Sequence, residues 1–216
     1  MVNFMNEVFI WITGGVLAYL VGSIPFGFLI AKSQGRDIRT LGSGNIGATN
    51  VFRSISKKLG IITFALDVGK GLSGVLLVPL LAAKITSTGF EGMALPLFCG
   101  AMTIAGHNWT CFLGFKGGKG IATSAGMLIG LSPVCVGIAF LGWLIIFLTT
   151  RYVSVASIAA CLVLAVVVWP VHMSDNGIWL PAVLSFLAAV GIWKHRGNIV
   201  RLRAGMESRF DFKRKS

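Results

Sequence analysis

Two glycine-rich stretches carry most of the chemistry-bearing side chains of an otherwise apolar sequence, and both are suited to anions. The first runs Gly42-Ser43-Gly44-Asn45-Ile46-Gly47-Ala48-Thr49-Asn50-Val51-Phe52-Arg53. Its glycines let backbone N–H groups turn toward one ligand, which is how a phosphate-sized anion is held without a large side-chain cage. Arg53 adds a planar, permanently charged fork that matches phosphate oxygens. The second stretch links Gly106-His107-Asn108-Trp109 to Phe115-Lys116-Gly117-Gly118-Lys119-Gly120. Glycines beside Lys116 and Lys119 admit close ligand approach, so phosphate contact is expected of these lysines over topology-setting charge alone. Further along come Arg151-Tyr152-Val153-Ser154 and Lys194-His195-Arg196-Gly197-Asn198. His195 and Asn198 stand three apart and share a helical face or turn. An interfacial role and a substrate-binding role both remain open for that imidazole.

Several motifs of soluble proteins fail on context. Gly42 to Gly47 matches G-x-G-x-x-G but follows a basic loop instead of a strand, and Gly118-Lys119 lacks the flanking residues of a P-loop, position 113 being Leu and position 120 Gly. Asn108-Trp109-Thr110 has the form of a glycosylation acceptor but is expected inside the cell. No acidic residue follows His107 closely, Phe112 standing five residues on, so a histidine–carboxylate dyad is not expected. His172 reads as a solvated turn residue. The four cysteines stand far apart and mostly within apolar runs, as packing residues with no disulfide and no metal-ligand spacing. No metal and no cofactor is implied.

What must position these groups is a membrane bundle. At 216 residues with 55% hydrophobic and 12% charged residues and a mean hydropathy of +0.83, the chain is too apolar for a soluble domain. Each crossing takes roughly 20 apolar residues and must satisfy its own backbone, so helices are expected; the apolar runs do not alternate as barrel strands would. The sequence places spans at 9–31, with a Ser23-Ile24-Pro25 interruption, and at 60–83, 93–113, 121–131, 134–149, 155–171 and 178–193. A polar loop covers 32–59, turns cover 84–92 and 172–177, and a basic tail follows from Lys194. Asp67 and Lys70 lie three apart within the second span and can pair there. A structural ion pair and a support for the anion site are the two readings of that couple. Asn3, Asn6 and Glu7 precede the first apolar run without any basic residue, which argues against a cleaved signal peptide.

Charge fixes the expected orientation. With seven helices, several of them short, the N-terminus outside and the C-terminus cytoplasmic, 17 of the 19 Lys and Arg residues fall on inner segments. Only Lys70, within a span, and Lys84, outside, remain; reading 121–149 as one span would throw the later basic segments to the outer face. The net charge of +12 is thus explained by topology, and nucleic acid is not needed. The same orientation gathers all the polar motifs on one face. A transporter of phosphorylated solutes would instead show internal repeats around a midplane site, and no repeat is visible.

With these residues in view, the chain resembles the bacterial acyl-phosphate:glycerol-3-phosphate acyltransferases, the PlsY family. The likeness rests on GSGNIGATNVFR from Gly42 to Arg53, on GHN…FKGGKGIAT from Gly106 to Thr123 and on HRGNIVRLRAGME from His195 to Glu207, with Asp67, Lys70 and the Arg151–Ser154 turn fitting as well. It covers essentially the whole chain as one polytopic domain. The resemblance implies transfer of an acyl group from acyl phosphate to the sn-1 hydroxyl of glycerol 3-phosphate, at the cytoplasmic face of the bacterial inner membrane, giving lysophosphatidic acid and phosphate. It maps a phosphate-binding loop onto Gly42 to Asn50, that is Gly42, Gly44, Asn45, Gly47, Ala48, Thr49 and Asn50. Glycerol-phosphate contacts would fall on Ser43, Arg53, a lysine of the second motif, His195 and Asn198, with His107, Asn108, Gly117, Gly118, Ser154 and Glu207 also in the site. Beyond the two substrates and membrane lipids, no protein partner is implied. Acyl phosphate is already an activated mixed anhydride, so the task is to join two anion sites and stabilise charge. A phosphate oxygen of the substrates is expected to take the hydroxyl proton, since no strong base is evident; Ser43 as a covalent nucleophile would need a base partner that is not seen.

Overall fold

Continuous apolar runs leave the backbone no partner but itself, and every regular element in the computed structural model is helical among the described residues, which are 4–173 and 177–211. Asn3, part of the 172–177 turn and the basic Lys213, Arg214 and Lys215 lie outside them. The chain forms two compact units, Met1–Leu131 and Ser132–Ser216.

In the amino-terminal unit the first span is two helices, α1 (Phe4–Ser23) and α2 (Phe26–Ser33). Pro25 has no N–H to give and disfavours helical geometry at Ile24, so the ladder breaks where the sequence marks it. Freed carbonyls need donors in an apolar setting. The Ser23 carbonyl accepts from Thr110 Oγ1 at 2.6 Å and the Ile24 carbonyl from Lys70 Nζ at 2.9 Å. The segment expected as a polar loop over 32–59 instead carries a 3-10 turn at Ile38–Thr40, then α3 (Ala48–Ser54) and the start of α4 (Lys57–Thr86). Its few apolar residues are too sparse to show a period, yet Ile38, Ile46 and Val51 close on Ala31 as a small buried cluster. That cluster holds the first glycine motif against α2.

Helix α4 is 30 residues long, about 45 Å, and is the spine of this unit. It packs on α1, on α5 (Ala94–Asn108) and on α6 (Ile121–Leu131). At the α4–α6 crossing a methyl on Gly71 would strike the Thr123 carbonyl and one on Gly126 the Val68 carbonyl, so small residues set the approach. Helix α5 stops at Asn108, five residues short of the expected end at Leu113. Thr110 is drawn off to the Ser23 carbonyl, and Gly114 and Phe115 both sit at φ 61, which no right-handed helix permits.

The carboxy-terminal unit is α7 (Pro133–Thr150), α8 (Val153–His172), α9 (Trp179–Lys194) and α10 (Arg196–Arg203), the last an unforeseen helix within the tail. The break between α6 and α7 falls at Ser132, as Ser132-Pro133 foretells, with Pro133 in the first turn where its missing N–H costs nothing. Indole N–H groups tie neighbours together: Trp143 donates to Ser157 Oγ and Trp169 to Ser185 Oγ. His172 is half-buried in α8 and bonds Ser132 Oγ at 2.6 Å, a correction to its reading as a solvated turn residue.

Among the described residues four stretches are long and apolar enough to cross a membrane, namely Met5–Ser33, Lys57–Thr86, Pro133–Thr150 and Val153–His172; Ile121–Leu131 and Trp179–Lys194 are shorter apolar helices. Val166, Phe186 and Ile145 are each more than 60% exposed, which suits a lipid-facing surface.

Candidate active site

The first glycine motif is organised by one buried carboxamide. Asn50 Oδ1 accepts from the Ser43 amide at 3.1 Å and from Ser54 Oγ, while its Nδ2 donates to the carbonyls of Leu41 and Asn45 at 2.9 Å and of Ile38 at 3.3 Å. Gly42 lies against this side chain at φ 54, where a Cβ would meet Asn50 Oδ1. The loop's amides are largely spent on the loop itself: Gly44 N–H donates to the Leu41 carbonyl, Gly47 N–H to Asn45 Oδ1 and Asn45 N–H weakly to Ser43 Oγ. This differs from the expected ring of N–H groups aimed at a ligand. Ser43 is exposed, and Arg53, on α3, is half-buried. Ala48 and Thr49 open α3 and are half-buried.

The second motif is built at the end of α5. The Gly118 amide donates to the His107 carbonyl at 2.9 Å, folding the chain back so that Gly117 and Gly118 pass directly over His107 and Asn108. Gly120 then takes φ 80 and the chain enters α6 at Ile121. A glycine turn feeding a helix N-terminus is a ready anion site. Lys116 is exposed and Lys119 half-buried at its rim. Asn108 and Thr110 are each only 1% exposed, so the apparent glycosylation sequon is inaccessible. Leu113 packs against the Ile38–Ile46–Val51 cluster, which ties this turn to the first motif through α2.

Beneath the turn, Asp67 and Lys70 pair at 3.0 Å, both nearly fully buried, as their spacing implies. His107 Nδ1 lies 3.5 Å from the same Asp67 oxygen, so a histidine–carboxylate couple does exist, supplied by α4 instead of by local sequence. Removing Asp67 or Lys70 singly would strand a buried charge, a cost of about 3–5 kcal/mol.

In the carboxy-terminal unit the residues converge on Glu207. Its carboxylate accepts from Ser154 Oγ at 2.8 Å, Asn198 Nδ2 at 2.7 Å and Arg201 Nε at 2.8 Å. Arg201 was not foreseen: it stands six residues from Glu207, a separation that matches no helical pairing. A carboxylate already committed to three donors is a latch joining α8 to α10, and it orients Asn198 so that the amide oxygen faces away. His195 is 2% exposed, and its Nδ1–H donates to the Gly191 carbonyl at 2.8 Å, which sets Nε2 as the acceptor of the neutral ring.

Burial pushes the Glu207 carboxyl up, but the bonds from Asn198, Ser154 and Arg201 outweigh it and hold the group below the usual carboxylate range. A depressed folded value gives stability that is complete above the unfolded value and is lost as pH falls through the folded one. Thermal unfolding in detergent should therefore show no Glu207-dependent change from pH 8 to 6, then a decline in strongly acidic buffer. Glu207→Gln should lower the neutral-pH midpoint and flatten the acid limb; an unchanged midpoint would contradict the latch.

Ser43, Arg53, His107, Lys116 and Lys119 thus belong to the amino-terminal unit, and Ser154, His195, Asn198 and Glu207 to the carboxy-terminal one. Among the described residues no three His, Cys, Asp or Glu side chains cluster as metal ligands.

A family model described as glycerol-3-phosphate acyltransferase matches residues 12–205, across both units. A glycerol-3-phosphate acyltransferase of Aquifex aeolicus is 43% identical over 195 residues, 90% of this chain and 96% of the relative. One from Desulforamulus reducens is 46% identical over 88% of this chain and 90% of the relative. Among solved structures, the glycerol 3-phosphate form of PlsY (YgiH), an integral membrane glycerol 3-phosphate acyltransferase, superposes with a TM-score of 0.80 at 40% identity, covering 93% of this chain and 96% of that one. Its lysophosphatidic acid form gives 0.77 at the same identity.

Proposed function

The chain belongs to the glycerol-3-phosphate acyltransferase family, and from that premise we propose that it moves a fatty acyl group from acyl phosphate to the sn-1 hydroxyl of glycerol 3-phosphate. The products are lysophosphatidic acid and inorganic phosphate, the first step of phospholipid synthesis. The observation that carries this is the shared fold with a glycerol 3-phosphate form of PlsY over 93% of the chain. In this reading 1–216 works as one membrane domain of seven crossings, N-terminus outside, with its chemistry at the cytoplasmic face of the inner membrane. The positive-inside distribution of Lys and Arg supports that orientation.

Two anion-binding groups suit two phosphorylated substrates. The Gly117–Gly120 turn at the start of α6, with Lys116 and Lys119, holds the phosphate of glycerol 3-phosphate and the Gly42–Asn50 loop that of the donor; Ser43 and Arg53 contact the glycerol phosphate and stabilise the oxyanion that develops on the acyl carbonyl. The glycerol oxygen attacks the acyl carbon, a new C–O ester bond forms, and the bond to the donor phosphate breaks with the electron pair leaving on phosphate. A phosphate oxygen takes the hydroxyl proton. His195 and Asn198, locked by Gly191 and Glu207 respectively, orient the glycerol. His195→Ala is therefore expected to raise the KM for glycerol 3-phosphate while kcat changes by less than about tenfold; a large loss of kcat at saturating glycerol 3-phosphate with unchanged binding would make His195 the base instead. Regiochemistry tests the reading as a whole: the purified protein given palmitoyl phosphate and glycerol 3-phosphate should yield 1-acylglycerol 3-phosphate by NMR, and a 2-acyl product or none would overturn it.

A further inference from the structure

We propose that Asp67 is a positioning residue for the phosphate turn: its carboxylate holds the His107 ring, and the ring braces Gly118 from below. This inference rests on the activity proposed above and goes beyond it by giving the buried charges of α4 a task. Asp67, Lys70 and His107 are 3%, 5% and 5% exposed, and their polar groups face one another. Their contacts run in one direction. Lys70 Nζ sits 3.0 Å from Asp67 Oδ1 and also donates to the Ile24 carbonyl at the Pro25 break. His107 Nδ1 faces the same Asp67 oxygen at 3.5 Å. The far side of that ring, Nε2, lies so close under Gly118 that a methyl there would collide with it, and the His107 carbonyl receives the Gly118 amide at 2.9 Å. The residue thus touches the turn twice, through ring and backbone. A rotation of the ring would lift Gly118, and with it the flanking Lys119, off its seat.

A purely structural ion pair makes a different prediction from a positioning one. Replacing both charges by apolar groups of like shape, Asp67→Leu with Lys70→Met, removes the pair without stranding either charge, so a pair that serves only stability should be dispensable. If Asp67 positions His107, the double variant folds but binds glycerol 3-phosphate loosely. The expected result is a KM for glycerol 3-phosphate raised about tenfold or more, a kcat within about threefold, and an unchanged KM for palmitoyl phosphate. In a His107→Gln background the same swap should add nothing, because the path it acts through is already gone. A wild-type KM in the swap, a parallel rise for both substrates, or effects of the swap and His107→Gln that multiply would each overturn the inference. Should the swap fail to accumulate in membranes, Asp67→Asn with Lys70→Gln, which also leaves no buried charge unpaired, carries the same cycle with and without His107→Gln and with the same outcomes. Wild type measured alongside separates the two claims: an active wild type with unaffected variants overturns only the positioning role, whereas a wild type that does not consume glycerol 3-phosphate removes the activity and this inference with it.

Discussion

Asn50→Asp is expected to reduce turnover by about 100-fold or more while changing one atom, and the reason lies in which way that carboxamide faces. Its Nδ2 sits among three carbonyl oxygens, of Ile38, Leu41 and Asn45, and its Oδ1 takes the Ser43 amide and the Ser54 hydroxyl. An ionised carboxylate would turn three attractive contacts into repulsive ones and set a negative charge beneath a loop proposed to meet phosphate. Each lost bond that leaves a buried partner unsatisfied costs about 1–3 kcal/mol. The Gly42–Gly47 loop should lose its shape, since Ser43, Asn45 and Gly47 hang on that side chain or on one another. Asn50→Ala removes the same bonds without the charge and should be less severe, with partial activity. Steady-state kinetics and thermal unfolding of the two variants check this; equal activities would show that the loop does not feel the charge.

Arg53→Ala is the second large effect. The guanidinium is proposed to pair with phosphate and to stabilise charge developing in the transition state, and removing one such donor typically costs about 100- to 1000-fold in turnover. Arg53→Lys keeps the charge but loses the planar fork, so it should recover only a small part of the loss. Arg53 sits half-buried in the last turn of α3, outside the buried Ile38–Ile46–Val51 cluster, and the fold should survive either change. A variant with normal stability and near-normal kcat/KM would remove Arg53 from the chemistry.

Much of this architecture is written in the chain. The Ser132-Pro133 pair divides a 29-residue apolar run, and the two helices found there end within one residue of the expected bounds. Pro25 likewise marks a true break. Both are cases in which a proline overrides hydropathy for a local steric reason. The helices α3 and α10 were hidden because short polar helices at a membrane surface carry too few apolar residues to reveal a period. The end of α5 was hidden because Thr110 is diverted by a carbonyl 87 residues earlier, a tertiary event with no local sign.

The residues of the site were legible by type and less so by role. Asp67 and Lys70 announce a buried pair by their spacing, but nothing near His107 says that the same carboxylate serves it, because the partner lies 40 residues away on another helix. Glycines in the first motif suggest amides pointing at a ligand, whereas the fold spends most of them on the loop and leaves Ser43 exposed. Glu207 reads as one more polar residue of a motif; only its three donors show that it is a latch. Spacing can nominate partners within a turn or two of helix, and it is silent about those that tertiary packing brings together.

The central claim is that acyl phosphate is the donor and glycerol 3-phosphate the acceptor. The measurement that tests it most directly is release of inorganic phosphate by the purified protein in detergent or lipid, given palmitoyl phosphate with and without glycerol 3-phosphate, beside an identical assay with a palmitoyl thioester. The account predicts phosphate release that requires both substrates, matches lysophosphatidic acid formation one for one, and has no counterpart with the thioester. Lysophosphatidic acid formed from the thioester but not from palmitoyl phosphate would contradict it.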